Sequence, residues 1–82
     1  MKQIKVLFFA SLRDYAGSKS MDMEIPDGTT ILDLENILAQ LYPRFEQVRT
    51  SMMAAINHEY VADDQVIPEH AEIAFFPPVS GG

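Results

Sequence analysis

The stretch KQIKVLFFA, Lys2 to Ala10, alternates along its length: Ile4, Val6 and Phe8 fall on one side of an extended chain, and Gln3, Lys5, Leu7 and Phe9 on the other. Both sides turn apolar toward its end, as in a strand that lies inside a sheet, yet Lys5 marks the Leu7 and Phe9 side as the one nearer water. Such a strand needs neighbours at its edges and a cover over the Ile4, Val6 and Phe8 side.

The rest of the chain supplies both. Ser11 is placed to cap a short helical turn through Ala16 that Gly17 ends, and Met21, Met23 and Ile25 then alternate with Asp22 and Glu24 as a half-buried second strand. Pro26-Asp27-Gly28 breaks the pattern. Thr30 stands where a helix N-cap belongs, three residues before Asp33, in a weak version of the capping box. The helix that follows has a core stripe of Ile31, Leu34, Ile37, Leu38 and Leu41, with Asp33, Glu35, Asn36 and Gln40 expected outward; Pro43 forbids continuation past Tyr42.

Pro43 to Thr50 reads as an irregular or single-turn stretch anchored by Phe45 and Val48. Ser51 to Ile56 reads as a third strand, Asn57-His58-Glu59 as a bend before Tyr60 and Val61, and Glu72 to Phe76 as the last strand. With one principal helix between strands, the last can lie parallel beside the first through a crossover. The expected class is α+β: a ubiquitin-like β-grasp, a mixed sheet with one principal helix on one face. Residues 1–76 would form the domain and 77–82 a protruding tail.

At 82 residues the chain suits one small module with a single core, not an internal catalytic cleft of ordinary size. Its 48% apolar and 22% charged residues are those of a soluble globular domain, and no run approaches the roughly 20 apolar residues of a membrane span. A net charge of −6 without a basic cluster disfavours nucleic acid, whose phosphates would be repelled. The absence of cysteine removes disulfides and thiol chemistry and suits a reducing, cytoplasmic setting. His58 and His70 are isolated, no zinc or calcium spacing occurs, and no glycine-rich loop opens a helix, so neither a metal nor a nucleotide site is expected.

Alternation in the last strand puts Ile73 and Phe75 on one face and Glu72, Ala74 and Phe76 on the other. Phe8 and Phe75 would pack under the helix, leaving Phe9 and Phe76 adjacent on the uncovered face, where Tyr60 or Leu7 can extend them. Such a patch suits a partner; the Pro43 to Thr50 segment folding over the rings would serve equally, and the pattern does not choose between the two. Pro77 and Pro78 then remove two backbone donors and favour a stiff, extended exit. The four residues Val79 to Gly82 reach roughly 13 Å at about 3.3 Å each. Gly81 and Gly82, lacking β-carbons, would let a narrow channel close on bare backbone. The alternative is an end that is merely frayed.

The segments IKVLFFASLRDYAG and EIAFFPPVSGG resemble the MoaD family, the small sulfur-carrier subunit of molybdopterin synthase. FFPPVSGG and KVLFFA are the most specific pieces, and Ser80 is the kind of small residue the family uses before the glycines. The resemblance implies a β-grasp and a sulfur carrier that is not catalytic alone and binds no cofactor. A ubiquitin-activating-type enzyme (MoeB-like) would use ATP to make a transient acyl-adenylate at Gly82, and a persulfide donor would convert it to a thiocarboxylate. On the large subunit (MoaE-like) that sulfur would pass to cyclic pyranopterin monophosphate. The implied reactive residues are Gly81 and Gly82; the implied partner-binding residues are Phe9, Tyr60, Phe76, Pro77, Pro78, Val79 and Ser80. A carrier of the thiamine type, a ubiquitin-like protein modifier and a plain interaction domain are the competing readings, and FFPP argues against the first.

Overall fold

A computed structural model, which describes residues 1–77, places β1 (Lys2–Phe8) and β5 (Glu72–Phe76) side by side in the interior of a five-stranded sheet. The other strands are β2 (Ser20–Ile25), β3 (Met53–Ile56) and β4 (Glu59–Val61), and the order across the sheet is β2-β1-β5-β3-β4. β1 and β5 run parallel, with Lys5 beside Glu72 and Phe8 beside Phe75, whereas β1–β2, β3–β5 and β3–β4 are antiparallel. This is the mixed β-grasp sheet that the helix between the early and late strands requires, since parallel neighbours need a crossover.

Helix α2 (Ile31–Leu41) supplies the cover. Its start is fixed by a complete capping box: the Asp33 amide donates to Thr30 Oγ1 at 3.2 Å and the Thr30 amide donates to Asp33 Oδ2 at 3.1 Å. Ile31, Leu34 and Leu38 are buried against Val6, Phe8, Ile73 and Phe75 in one core, which Leu12, Ile25, Phe45 and Ile67 complete. A 3-10 turn over Pro43–Gln47 inserts Phe45 edge-on to Phe8, with ring centroids 5.6 Å apart.

The structure corrects several local expectations. β1 ends at Phe8, although the Phe9 amide still donates to the Phe75 carbonyl at 3.2 Å; at Ala10 (φ 52) the chain turns off the sheet. The short helix α1 (Ser11–Ala16) is therefore led by Ala10, and Ser11 caps nothing because it is already inside the helix. Gly17 does end α1, in the left-handed region that favours glycine (φ 77). β3 begins at Met53, not Ser51, since the Ser51 and Met52 amides both donate to the Val48 carbonyl.

On α2 two assignments change places. Leu41 is 53% exposed, because the helix stops there and Tyr42, four residues after Leu38, supplies the ring that meets Phe8. Glu35, expected outward, is 2% exposed. Burial pushes its carboxyl up to about 7 from 4.5; the Asp63 carboxylate adds to the rise and the Arg49 guanidinium opposes it.

Candidate functional site

Among the described residues no helix covers the sheet face opposite α2, and the residues expected there assemble on it. Phe9 and Phe76 stack with centroids 4.7 Å apart and 13° between planes, and Tyr60 leans on Phe76 at 5.9 Å and 57°. The register explains the meeting. Leu7 pairs with Ala74 across the parallel β1–β5 ladder, so the next same-face positions on each strand bring Phe9 beside Phe76. Tyr60 arrives from β4 opposite Ala55, which in turn faces Ala74 on β5.

The small side chains of Ala55 and Ala74 leave a floor among these rings, a concavity of about 190 Å³ walled by Leu7, Phe9, Tyr60 and Phe76 and reached at its polar end by His58 and Glu72. The Pro43–Gln47 turn does not fold over it, since Phe45 is committed to the core beneath the other face. Tyr60 is 67% exposed and Met53, directly across from Phe76, is exposed as well. Aromatic rings that pack on one another while remaining open to solvent form a rigid apolar anchor for a partner.

Arg13 and His58 also belong to this face and were not anticipated, whereas Glu72 was expected on it. Arg13 lies with its guanidinium 5.7 Å from the Phe9 ring centre while its Nε donates to the Phe8 carbonyl at 3.0 Å. Its place depends on the turn at Ala10, which no sequence period announces. His58 and Glu72 approach at 3.8 Å. They do so because the β3–β4 hairpin turns tightly at Asn57-His58, both with positive φ (49 and 75), and Asn57 is clamped to β5: its amide donates to the Glu72 carbonyl and its Oδ1 accepts from the Glu72 amide. The Asn at that turn was the available signal.

Pro77 follows directly on β5 and is partly buried, so the strand leaves the sheet beside the Phe9–Phe76 stack. Pro78, Val79, Ser80, Gly81 and Gly82 lie outside the described residues. Among the described residues no cluster of three His, Cys, Asp or Glu could hold a metal ion, and no helix is long and apolar enough to cross a membrane. Among the described residues the face offers contact area and shape, with His58 and Glu72 at its polar end.

Comparisons with known proteins agree with this geometry. The ThiS family model matches residues 6–82. The chain is 35% identical over 80 residues to a molybdopterin synthase sulfur carrier subunit of Arabidopsis thaliana, covering 98% of this chain and 83% of that one. Among solved structures it is similar to a putative molybdopterin converting factor, subunit 1, from Pyrococcus furiosus (TM-score 0.88, 25% identity, 96% of this chain and 100% of the other). It is also similar to SAMP1 from Haloferax volcanii (TM-score 0.82, 27% identity, 98% and 99%). The chain belongs to the ThiS family and, within it, to the molybdopterin synthase sulfur carrier subunits, the MoaD family.

Proposed function

We propose that this member of the family is the sulfur carrier of molybdenum cofactor biosynthesis, acting in the cytoplasm, and that its reactive group is the carboxylate of Gly82. The observation that carries the reading is the half-buried Phe9–Phe76 stack, with the exposed Tyr60 against it, where β5 ends and Pro77 follows. A docking surface there brings any enzyme that grips it within reach of the last residues.

The chemistry needs no side chain. A carboxylate resists nucleophilic attack, so the Gly82 carboxylate first attacks the α-phosphorus of ATP on a MoeB-like activating enzyme, releasing pyrophosphate and leaving an acyl-adenylate. A persulfide sulfur displaces AMP, and a thiol cleaves the resulting S–S bond to leave the thiocarboxylate. That group is a nucleophile in a chain that has no cysteine. Docked through Phe9, Tyr60 and Phe76 on a MoaE-like large subunit, the tail from Pro77 through Pro78, Val79 and Ser80 presents it to cyclic pyranopterin monophosphate. Two such transfers complete the dithiolene. Gly81 and Gly82 admit close approach because neither carries a β-carbon.

The likeness to SAMP1, a small archaeal modifier protein, favours one second reading, attachment of Gly82 to a lysine of another protein. Incubation with an activating enzyme, ATP and a persulfide donor, followed by intact-mass measurement, separates the two. The carrier gains the mass of sulfur in place of oxygen. High-mass lysine conjugates without a thiocarboxylate would overturn the assignment.

A further inference from the structure

An exposed thioether borders the aromatic group on the open sheet face. Met53, the first residue of β3, pairs with Phe76 across the antiparallel β3–β5 ladder, and directly paired residues share a face. Ala55, two residues on, floors the concavity and pairs with Tyr60, so Met53 continues the same surface past Phe76. It is 40% exposed, whereas Met52 beside it packs against the core.

The five methionines of the chain divide by environment. Met21, Met23 and Met52 are half-buried against the core, and the Met21 sulfur also accepts from the Tyr42 hydroxyl at 3.7 Å. Met1 is 70% exposed, but its amino group lies 3.7 Å from Asp27, at the end of β1 away from Phe9. Of the five, Met53 combines access to solvent with a place beside the rings. With no cysteine in the chain, these thioethers are the side-chain sulfurs open to oxidation.

We propose that Met53 is an oxidant-sensitive site of the docking face: its conversion to the sulfoxide weakens the grip of the large subunit, and reduction restores it. The inference rests on the docking role given to this face above. As a thioether the side chain is apolar and pliable, suited to filling a partner's contour. Hydrogen peroxide transfers one oxygen to the sulfur: the O–O bond breaks, an S–O bond forms, sulfur gives up two electrons and water leaves. The product carries an S–O dipole that holds water on the free chain. An interface closing over it must strip that water, and the Phe76 and Ala55 side chains offer no donor in exchange. Met53 stands outside the core cluster, so the fold survives the change.

Dilute hydrogen peroxide on the full chain, followed over time by fragment-ion mass spectrometry, tests the site. Met53 should take up oxygen at least about threefold faster than Met21, Met23 and Met52, as exposure dictates. Titration calorimetry against the large subunit reads the consequence. Chain oxidised at Met53 should bind roughly tenfold more weakly, and methionine sulfoxide reductase with a thiol should restore the affinity. M53L keeps the volume, so it should bind within about twofold of wild type and lose nothing on the same treatment. M53Q, polar and unbranched, should reproduce the loss without peroxide. Oxidation of Met53 no faster than that of Met52 would overturn the site, whatever the chain binds. Equal affinity before and after oxidation, or the same loss in M53L, would overturn its effect on docking. A large subunit that ignores the untreated chain would sink the docking role, and the redox effect with it, while the order of oxidation still decides the site.

Discussion

Phe8 and Phe9 are consecutive in the chain and lie on opposite faces of the sheet. Phe8 is 1% exposed and meets Tyr42 and Phe45 edge-on beneath α2, whereas Phe9 stacks on Phe76 on the open side. One peptide bond thus separates a residue that holds the fold from one that serves the site. Phe8→Ala should cost about 3–5 kcal/mol of stability, the range for truncating a buried aromatic. Phe9→Ser or Phe76→Ser should cost less than about 1 kcal/mol yet weaken binding of the large subunit at least tenfold, about 1.4 kcal/mol. Urea unfolding and calorimetric titration of the three variants check the separation.

The Asn57 clamp is the next test, because it sets where the β3–β4 hairpin, and with it Tyr60, sits against β5. Asn57→Ala loses the bond accepted from the Glu72 amide and puts a side chain without local polar partners into the left-handed region at φ 49. A loss of about 1–3 kcal/mol is expected. Asn57→Gly relieves the backbone and not the bond, so it should lie between alanine and wild type in thermal unfolding.

Glu35 predicts an inverted pH dependence. Its folded value near 7 exceeds the unfolded 4.5, so the folded chain holds the extra proton between those values and stability falls as pH rises across that window, then levels. A separation of that size is worth at most about 3 kcal/mol. Glu35→Gln should remove most of the slope and be the more stable protein above pH 7 by about 1–3 kcal/mol. Urea midpoints at pH 5, 6, 7 and 8 read both effects.

Much of this was legible because strand alternation and helix periodicity are short-range rules. Lys5 and Glu72 labelled the wetter faces of β1 and β5 correctly, and the Thr30–Asp33 pair located the start of α2. Periodicity failed where a contact arrives from afar. Nothing near Glu35 in sequence reveals that it is buried or that the charges of Asp63 and Arg49 act on it, and the stripe led to Leu41 when Tyr42 takes the core position. Arg13 escaped notice because its position rests on one residue, Ala10, in a left-handed turn.

The end of the chain carries its own prediction. Removing Gly82, or adding one residue after it, should abolish thiocarboxylate formation and sulfur transfer while leaving the unfolding midpoint unchanged. The sheet ends at Phe76, and the described core needs nothing beyond it. Intact-mass and circular-dichroism measurements on the same samples check both halves.

The most direct measurement is a single turnover. The thiocarboxylated chain is mixed with the large subunit and cyclic pyranopterin monophosphate, and its mass is followed as pterin product forms. The chain should return to the unmodified carboxylate in step with product, two chains spent per dithiolene, and Phe76→Ser should slow the step at least tenfold. A thiocarboxylate that persists while the pterin gains sulfur would contradict the account.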